Sequence, residues 1–139
     1  MLEKVHDHLS SELQQNTRTD TIFVVTAILF NLIVLAVNSA VAGDAQSDYA
    51  KSSSDFVLMV FIAMSLLVNG ISISALQFGK RNREKIIHGL LSMYSDNKVA
   101  KYYDESLLSS YATRYLLFSG VIVCLAMVGI VVPLVIRFV

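Results

Sequence analysis

The stretch that decides the fold is SLLVNGISISALQFGKRNREK, residues 65–85. Residues 65–79 carry no charge, whereas residues 80–85 contain four basic side chains. A charge-free stretch followed by a basic cluster is typical of a membrane-spanning helix that ends at the cytoplasmic face. The serines, asparagine and glutamine within it gain nothing from contact with lipid, so we expect them to face other helices or water.

The composition of the whole chain also indicates a membrane protein. Of 139 residues, 55% are hydrophobic and 16% are charged, whereas soluble domains carry about 25% charge. Eleven basic and eleven acidic residues balance, which gives no general reason to expect a nucleic-acid partner. The single cysteine, Cys124, excludes an internal disulfide and a cysteine-based zinc site.

Three stretches are free of charge and reach the length of about 20 residues that a membrane helix needs. They are residues 21–42, 56–79 and 115–136, and all 22 charged residues lie outside them. We therefore predict an all-α fold, a single membrane domain over residues 1–139 with three transmembrane helices. Nine of the eleven Lys and Arg residues lie before the first span or between the second and third. This bias predicts a cytoplasmic N-terminus and an external C-terminus, and the membrane we expect is the plasma membrane.

The segments between the spans carry helical patterns of their own. Residues 1–20 repeat apolar side chains at helical spacing without Pro or Gly, which predicts an amphipathic helix continuous with the first span, from about residue 3 to Ala42. Residues 80–114 carry further apolar stripes on either side of a turn cluster. They predict a cytoplasmic helical hairpin with its tip near Asp96 and Asn97. The alternative for residues 80–94 is a basic amphipathic helix on the inner leaflet.

Polar side chains inside the first two spans are the first candidate site. They are Asn31, Asn38, Ser65, Asn69, Ser72 and Gln77. One interpretation is hydrogen bonding between packed helices. The other is a neutral hydrophilic lining of a pore formed by several copies. The second span is polar on two opposite faces, which favours an oligomer.

Charged residues at the span ends form two further candidate sites. The predicted outer loop, residues 43–55, carries acidic side chains that would concentrate cations at a pore mouth, unless they only make the loop soluble. Four basic side chains would contact anionic headgroups at the inner leaflet, unless they only set the orientation. The acidic residues are Asp44, Asp48 and Asp55, and the basic ones are Lys80, Arg81, Arg83 and Lys85.

Catalysis and metal binding find little support in the sequence. His6 and His8 are two positions apart, which is unsuited to chelation from a regular helix, and no nucleotide-binding, hydrolase or metalloprotease motif occurs. We therefore expect no enzyme activity, metal or cofactor. The absence of charge within the spans argues against proton-coupled transport and voltage sensing.

Two functions remain as expectations from the sequence. The first is a homo-oligomeric ion channel or pore with an uncharged polar lining. The second is a non-conducting scaffold, assembly factor or effector anchor that acts through its cytoplasmic helices. The expected partners are the lipid bilayer, further copies of the chain and a protein bound to the cytoplasmic helices, with no nucleic acid.

Overall fold

Three long helices account for the described part of the chain. The computed structural model describes residues 2–44, 48–98 and 106–138, with side chains described for residues 3–43, 53–98 and 109–138. Helix α1 is Leu2–Asp44, α2 is Asp48–Asp96 and α3 is Ser106–Phe138. All three are long and apolar enough to cross a membrane. The predicted all-α fold with three helices of spanning length is thus confirmed.

Helices α1 and α2 are much longer than a bilayer requires. The 43 residues of α1 extend over about 65 Å, roughly twice the hydrocarbon thickness. The continuous helix predicted from residue 3 to Ala42 is confirmed. Helix α2 continues through the basic cluster and ends at Asp96, where Lys98 adopts a left-handed φ of 58° and its N–H donates to the Ser95 carbonyl at 3.0 Å. The first arm and the tip of the predicted hairpin are present, and residues 99–105 lie outside the described residues.

The predicted outer loop is largely helical. Helix α1 extends to Asp44 and α2 already begins at Asp48, so residues 43–44 and 48–55 of the expected loop are helical, and residues 45–47 lie outside the described part. Residues 48–55 contain neither Pro nor Gly, and polar side chains alone do not stop a helix. The end of an apolar span is therefore not the end of its helix.

The helices form an up-down-up bundle in which each contacts the other two. Three side-chain hydrogen bonds give the alignment of the antiparallel helices α1 and α2, because the two residue numbers of each pair add to 100. The pairs are His6 with Tyr94, Thr17 with Arg83 and Asn31 with Asn69. We call residues 2–20 of α1 and 80–96 of α2 the stalk. Inside the stalk, Ile87 and Leu90 are buried.

Interior positions on α1 recur at steps of three or four residues. They are Asp20, Val24, Ala27, Asn31, Val34, Asn38 and Ala42. This spacing is that of helices packed at a shallow crossing angle. The apolar core consists of Val24, Ala27, Leu76, Tyr115 and Ile122. The opposite surfaces expose large apolar side chains such as Ile33, Leu67 and Leu117, which is the distribution expected of helices surrounded by lipid.

Candidate functional site

A buried group of polar side chains lies where the stalk meets the apolar part of the bundle. We call Thr17, Asp20, Arg83 and Tyr115 the charged layer. The Tyr115 hydroxyl donates to the Asp20 carboxylate, and the Arg83 guanidinium donates to the Thr17 hydroxyl. Arg83 and Asp20 form an ion pair at 3.9 Å, with side chains only 4% and 9% exposed. One layer thus connects all three helices.

Arg83 is held by rings as well as by oxygen atoms. Its guanidinium carbon lies 4.7 Å from the ring centre of Tyr111 and 5.6 Å from that of Tyr115. Both distances are within the range of cation–π attraction. Its Nε has no hydrogen-bond partner among the described residues. The Arg83 side chain faces the bundle interior, and these contacts hold its guanidinium there.

The Asp20 carboxyl lies one residue before the first predicted span. Burial raises its pKa above the ordinary value, whereas the Tyr115 hydrogen bond and the charges of Arg83 and Arg114 act to lower it. Desolvation is the largest of these influences. The cost of burying the two charges thus offsets much of the attraction between Asp20 and Arg83, as is common for buried ion pairs.

Gly79 lets α1 and α2 approach closely beside the charged layer. Its carbonyl accepts a hydrogen bond of 2.9 Å from the Asn16 amide of α1. A Cβ at this position would overlap the Asp20 carboxylate, whereas a Cβ on Gly70 would meet no atom within 4 Å. The absence of a side chain at position 79 therefore makes room for Asp20.

A second buried polar group joins α1 and α2 three to four helical turns further along α1. We call Asn31, Ser65 and Asn69 the amide layer. The Asn31 Nδ2 donates to Asn69 Oδ1 at 2.7 Å, and Asn69 Nδ2 donates to Asn31 Oδ1 at 2.9 Å. Asn31 also donates to the Ala27 carbonyl at 2.8 Å, and Asn69 to the Ser65 carbonyl at 2.7 Å. Each amide thus satisfies its donors and acceptor within the chain.

Asn38 presents the opposite situation. It lies seven residues beyond Asn31 on the same face and is fully buried. Among the described residues, neither its Nδ2 nor its Oδ1 has a hydrogen-bond partner. An unpaired amide in an apolar interior is unfavourable. Asn38 therefore destabilises the folded bundle, whereas the hydrogen-bonded amide of Asn31 stabilises it.

The structure separates the six polar residues that the sequence grouped together. Five of them face the interior of a single chain: Asn31, Asn38, Ser65, Asn69 and Ser72. The Ser72 hydroxyl donates to the carbonyl of Val68 at 2.8 Å. Gln77 is exposed on the outside of α2. The face of α2 with Gly70 and Ser74 is exposed as well, so α2 is polar both inside and outside the bundle.

The charged candidate residues at the span ends also differ in burial and in the contacts that they make. Asp55 forms an ion pair with Arg137 at 2.6 Å, so the cation of α3 compensates its charge. The side chains of Asp44 and Asp48 lie outside the described part of the chain. Among the basic residues, Arg83 faces the bundle interior, because position 83 continues the buried face through Leu76 and Leu90. The other three, Lys80, Arg81 and Lys85, are at least partly exposed.

Sequence reasoning assigned no site role to Asp20 and Tyr115. Asp20 directly precedes the predicted span 21–42, and Tyr115 is the first residue of the predicted span 115–136. The signal that identifies Asp20 is its spacing, because it continues the pattern of Val24, Ala27 and Asn31 toward the N-terminus. Among the described residues, no group of three His, Cys, Asp or Glu side chains is placed to hold a metal.

Comparisons with known proteins leave the site to be interpreted from its own geometry. The sequence matches no protein-family model, and comparison with curated proteins and with solved structures finds no significant match. The charged layer joins helices by ion pairing and hydrogen bonding, and the amide layer joins them by hydrogen bonding.

Asn69→Leu and Asn38→Leu form a matched pair of substitutions. Asn69→Leu removes both bonds to Asn31 and is expected to lower the free energy of unfolding by about 1–2 kcal/mol. Asn38→Leu removes an amide that makes no bond, so stability should stay unchanged or increase. Unfolding in mixed SDS and mild detergent, followed by circular dichroism, measures both. Equal losses from the two variants would contradict the role assigned to the amide layer.

Proposed function

We propose that this chain is an integral membrane protein that conducts no ions and serves as a scaffold, with the stalk as its binding element. The observation that carries the proposal is the amide layer. Asn31 and Asn69 satisfy each other across the interior, so these two amides form a closed contact between helices. A water path along the bundle axis would have to break these bonds.

The stalk supports the scaffold part of the proposal. Helices α1 and α2 continue about 20 to 25 Å past the charged layer, and the Tyr94 hydroxyl and His6 Nε2 form a hydrogen bond of 3.0 Å near the far end. The outer surface of the stalk carries charges of both signs, including Lys4, Asp7 and Lys85. A rigid, charged projection is suited to binding another protein. Because the basic residues concentrate on its side, we place the stalk in the cytoplasm and the spans in the plasma membrane.

A homo-oligomeric channel is the second candidate, and one observation favours it. The outer face of α2 exposes Gly70, Ser74 and Gln77, and the Ser74 hydroxyl donates to the Gly70 carbonyl at 2.8 Å. These residues would line a path only between copies of the chain. The channel therefore depends on the outer face of α2 and no longer on Asn31 or Asn69.

Conductance of the purified protein in planar bilayers separates the two candidates. We expect currents indistinguishable from those of protein-free bilayers, with a known channel reconstituted in parallel as the positive control. A conductance that Gln77→Leu abolishes and Phe78→Leu retains would overturn the proposal in favour of the channel. Phe78 is the adjacent exposed residue and shares the membrane depth of Gln77.

A photo-crosslinking residue at His88 tests the scaffold part directly. His88 is exposed on the stalk, whereas Ile71 is exposed on the apolar surface of the same helix and serves as the control. We expect a discrete protein adduct at position 88 and none at position 71. The captured protein must then bind the purified full-length chain, and failure of that binding would contradict the scaffold.

A further inference from the structure

A groove between α2 and α3 opens on the outer surface near the stalk. Its volume is about 460 Å³, within the range of small-molecule sites, roughly 300–1,000 Å³. Its walls are Leu76, Gln77, Lys80, Ala112, Thr113, Tyr115, Leu116 and Ser119. Helices α2 and α3 contact each other less than either contacts α1, which leaves this space between them.

The groove has one polar end and one apolar end. Because α2 and α3 are antiparallel, Lys80 and Thr113 lie toward the stalk, while Leu116 and Ser119 lie deeper in the charge-free span. The Lys80 Nζ lies 3.9 Å from the Glu84 Oε1, and the two side chains are 40% and 49% exposed. An exposed pair of this kind on one helix turn is weak, so the Lys80 ammonium is available to another anion.

We propose that this groove binds an anionic phospholipid, with the phosphate at the Lys80 ammonium and an acyl chain along Leu116. The level of the groove supports this occupant, because Lys80 ends the charge-free span, where headgroups lie. The charge of Lys80 complements an anionic headgroup, and the apolar walls suit an acyl chain. The proposal rests on the membrane insertion in the proposed function and is independent of conductance.

Introduced tryptophans report lipid contact, because the chain contains no tryptophan. Leu116 in the groove and Phe78 outside it are each 72% exposed, so both tolerate Trp. Phe78 lies one helical turn from Arg81 and also has a positive charge near it. The full-length Leu116→Trp and Phe78→Trp variants are reconstituted in bilayers that contain dibrominated phosphatidylglycerol or dibrominated phosphatidylcholine, and quenching of Trp fluorescence is compared.

The expected result is an approximately fivefold preference for phosphatidylglycerol at position 116, the effect of about one basic side chain, and no preference at position 78. Adding Lys80→Gln should remove the preference, whereas Lys85→Gln, on an exposed basic residue outside the groove, should leave it. Equal preference at both tryptophans, or equal loss from both glutamine variants, would overturn the proposal in favour of general surface charge. The bromine atoms sit on the acyl chains, so a free phosphate gives no signal.

Failure of the underlying membrane insertion has a different signature, which is the absence of quenching by either lipid at both positions. Native mass spectrometry of the unmodified chain gives a second measurement. One phosphatidylglycerol should remain bound to the parent and to Lys85→Gln and be lost from Lys80→Gln. Retention by Lys80→Gln would overturn the proposal.

Discussion

Asp20→Leu is expected to lower the free energy of unfolding by about 3–5 kcal/mol, the usual loss when one member of a buried ion pair is removed. The substitution leaves the Arg83 guanidinium, only 4% exposed, without its carboxylate. It also removes the acceptor of the Tyr115 hydroxyl. Equilibrium unfolding in mixed SDS and mild detergent, followed by circular dichroism, measures the loss.

The double variant Asp20→Leu, Arg83→Leu is the control for this prediction. Replacing both charges by apolar side chains removes the buried unpaired cation, so at least half of the lost stability should return. Arg83→Leu alone is expected to have a smaller effect than Asp20→Leu, because a carboxyl with a raised pKa takes up a proton more readily than a guanidinium loses one. A double variant as unstable as Asp20→Leu would contradict the assigned role of the charged layer.

Leu90→Asp is expected to open the stalk while leaving the three apolar helices associated. Leu90 is 4% exposed in the stalk interior, where Leu9 approaches the neighbouring Gly89. A carboxylate there is buried without a partner, which destabilises the local structure by several kcal/mol. We expect fast hydrogen exchange and tryptic cleavage in residues 80–98, with the protein still in the membrane fraction.

His88→Asp is the matched control for Leu90→Asp. It introduces the same charge two residues earlier, at an exposed position, and should change stability by less than about 0.5 kcal/mol. Similar protease sensitivity of the two variants would show that residues 80–96 do not pack against α1 in the way the structure describes.

The sequence predicts the three helices because lipid excludes charge, so a charge-free stretch of sufficient length has one main structural solution. It does not predict that α2 begins as early as Asp48. Residues 48–55 are polar and follow a span boundary, yet nothing in their covalent structure breaks a helix. The α1 part of the stalk is predicted by the sequence, because residues 1–20 lack Pro and Gly and repeat apolar positions at helical spacing.

The candidate site was predictable only in part. Helical spacing places Asn31 on one face of α1 and Asn69 on one face of α2, but it does not give the height of one helix relative to another. The pairing of the two amides therefore needed the structure. The buried ion pair of Asp20 with Arg83 was not predicted, for a different reason. A charge at the end of a span already has a sufficient explanation as a boundary, and only the spacing of Asp20 from Val24 and Ala27 points to the interior.

The seven-residue interval between Asn31 and Asn38 has a consequence for the alignment of α1 with α2. A slide of α1 by two helical turns, about 10 Å, would put Asn38 opposite Asn69 and so preserve an amide pair. The same slide would bring Val24 to the level of Arg83 and Asp20 to the level of Ile87, leaving both charges among apolar side chains. The amides alone thus permit two alignments, and the ion pair of Asp20 with Arg83 selects one of them.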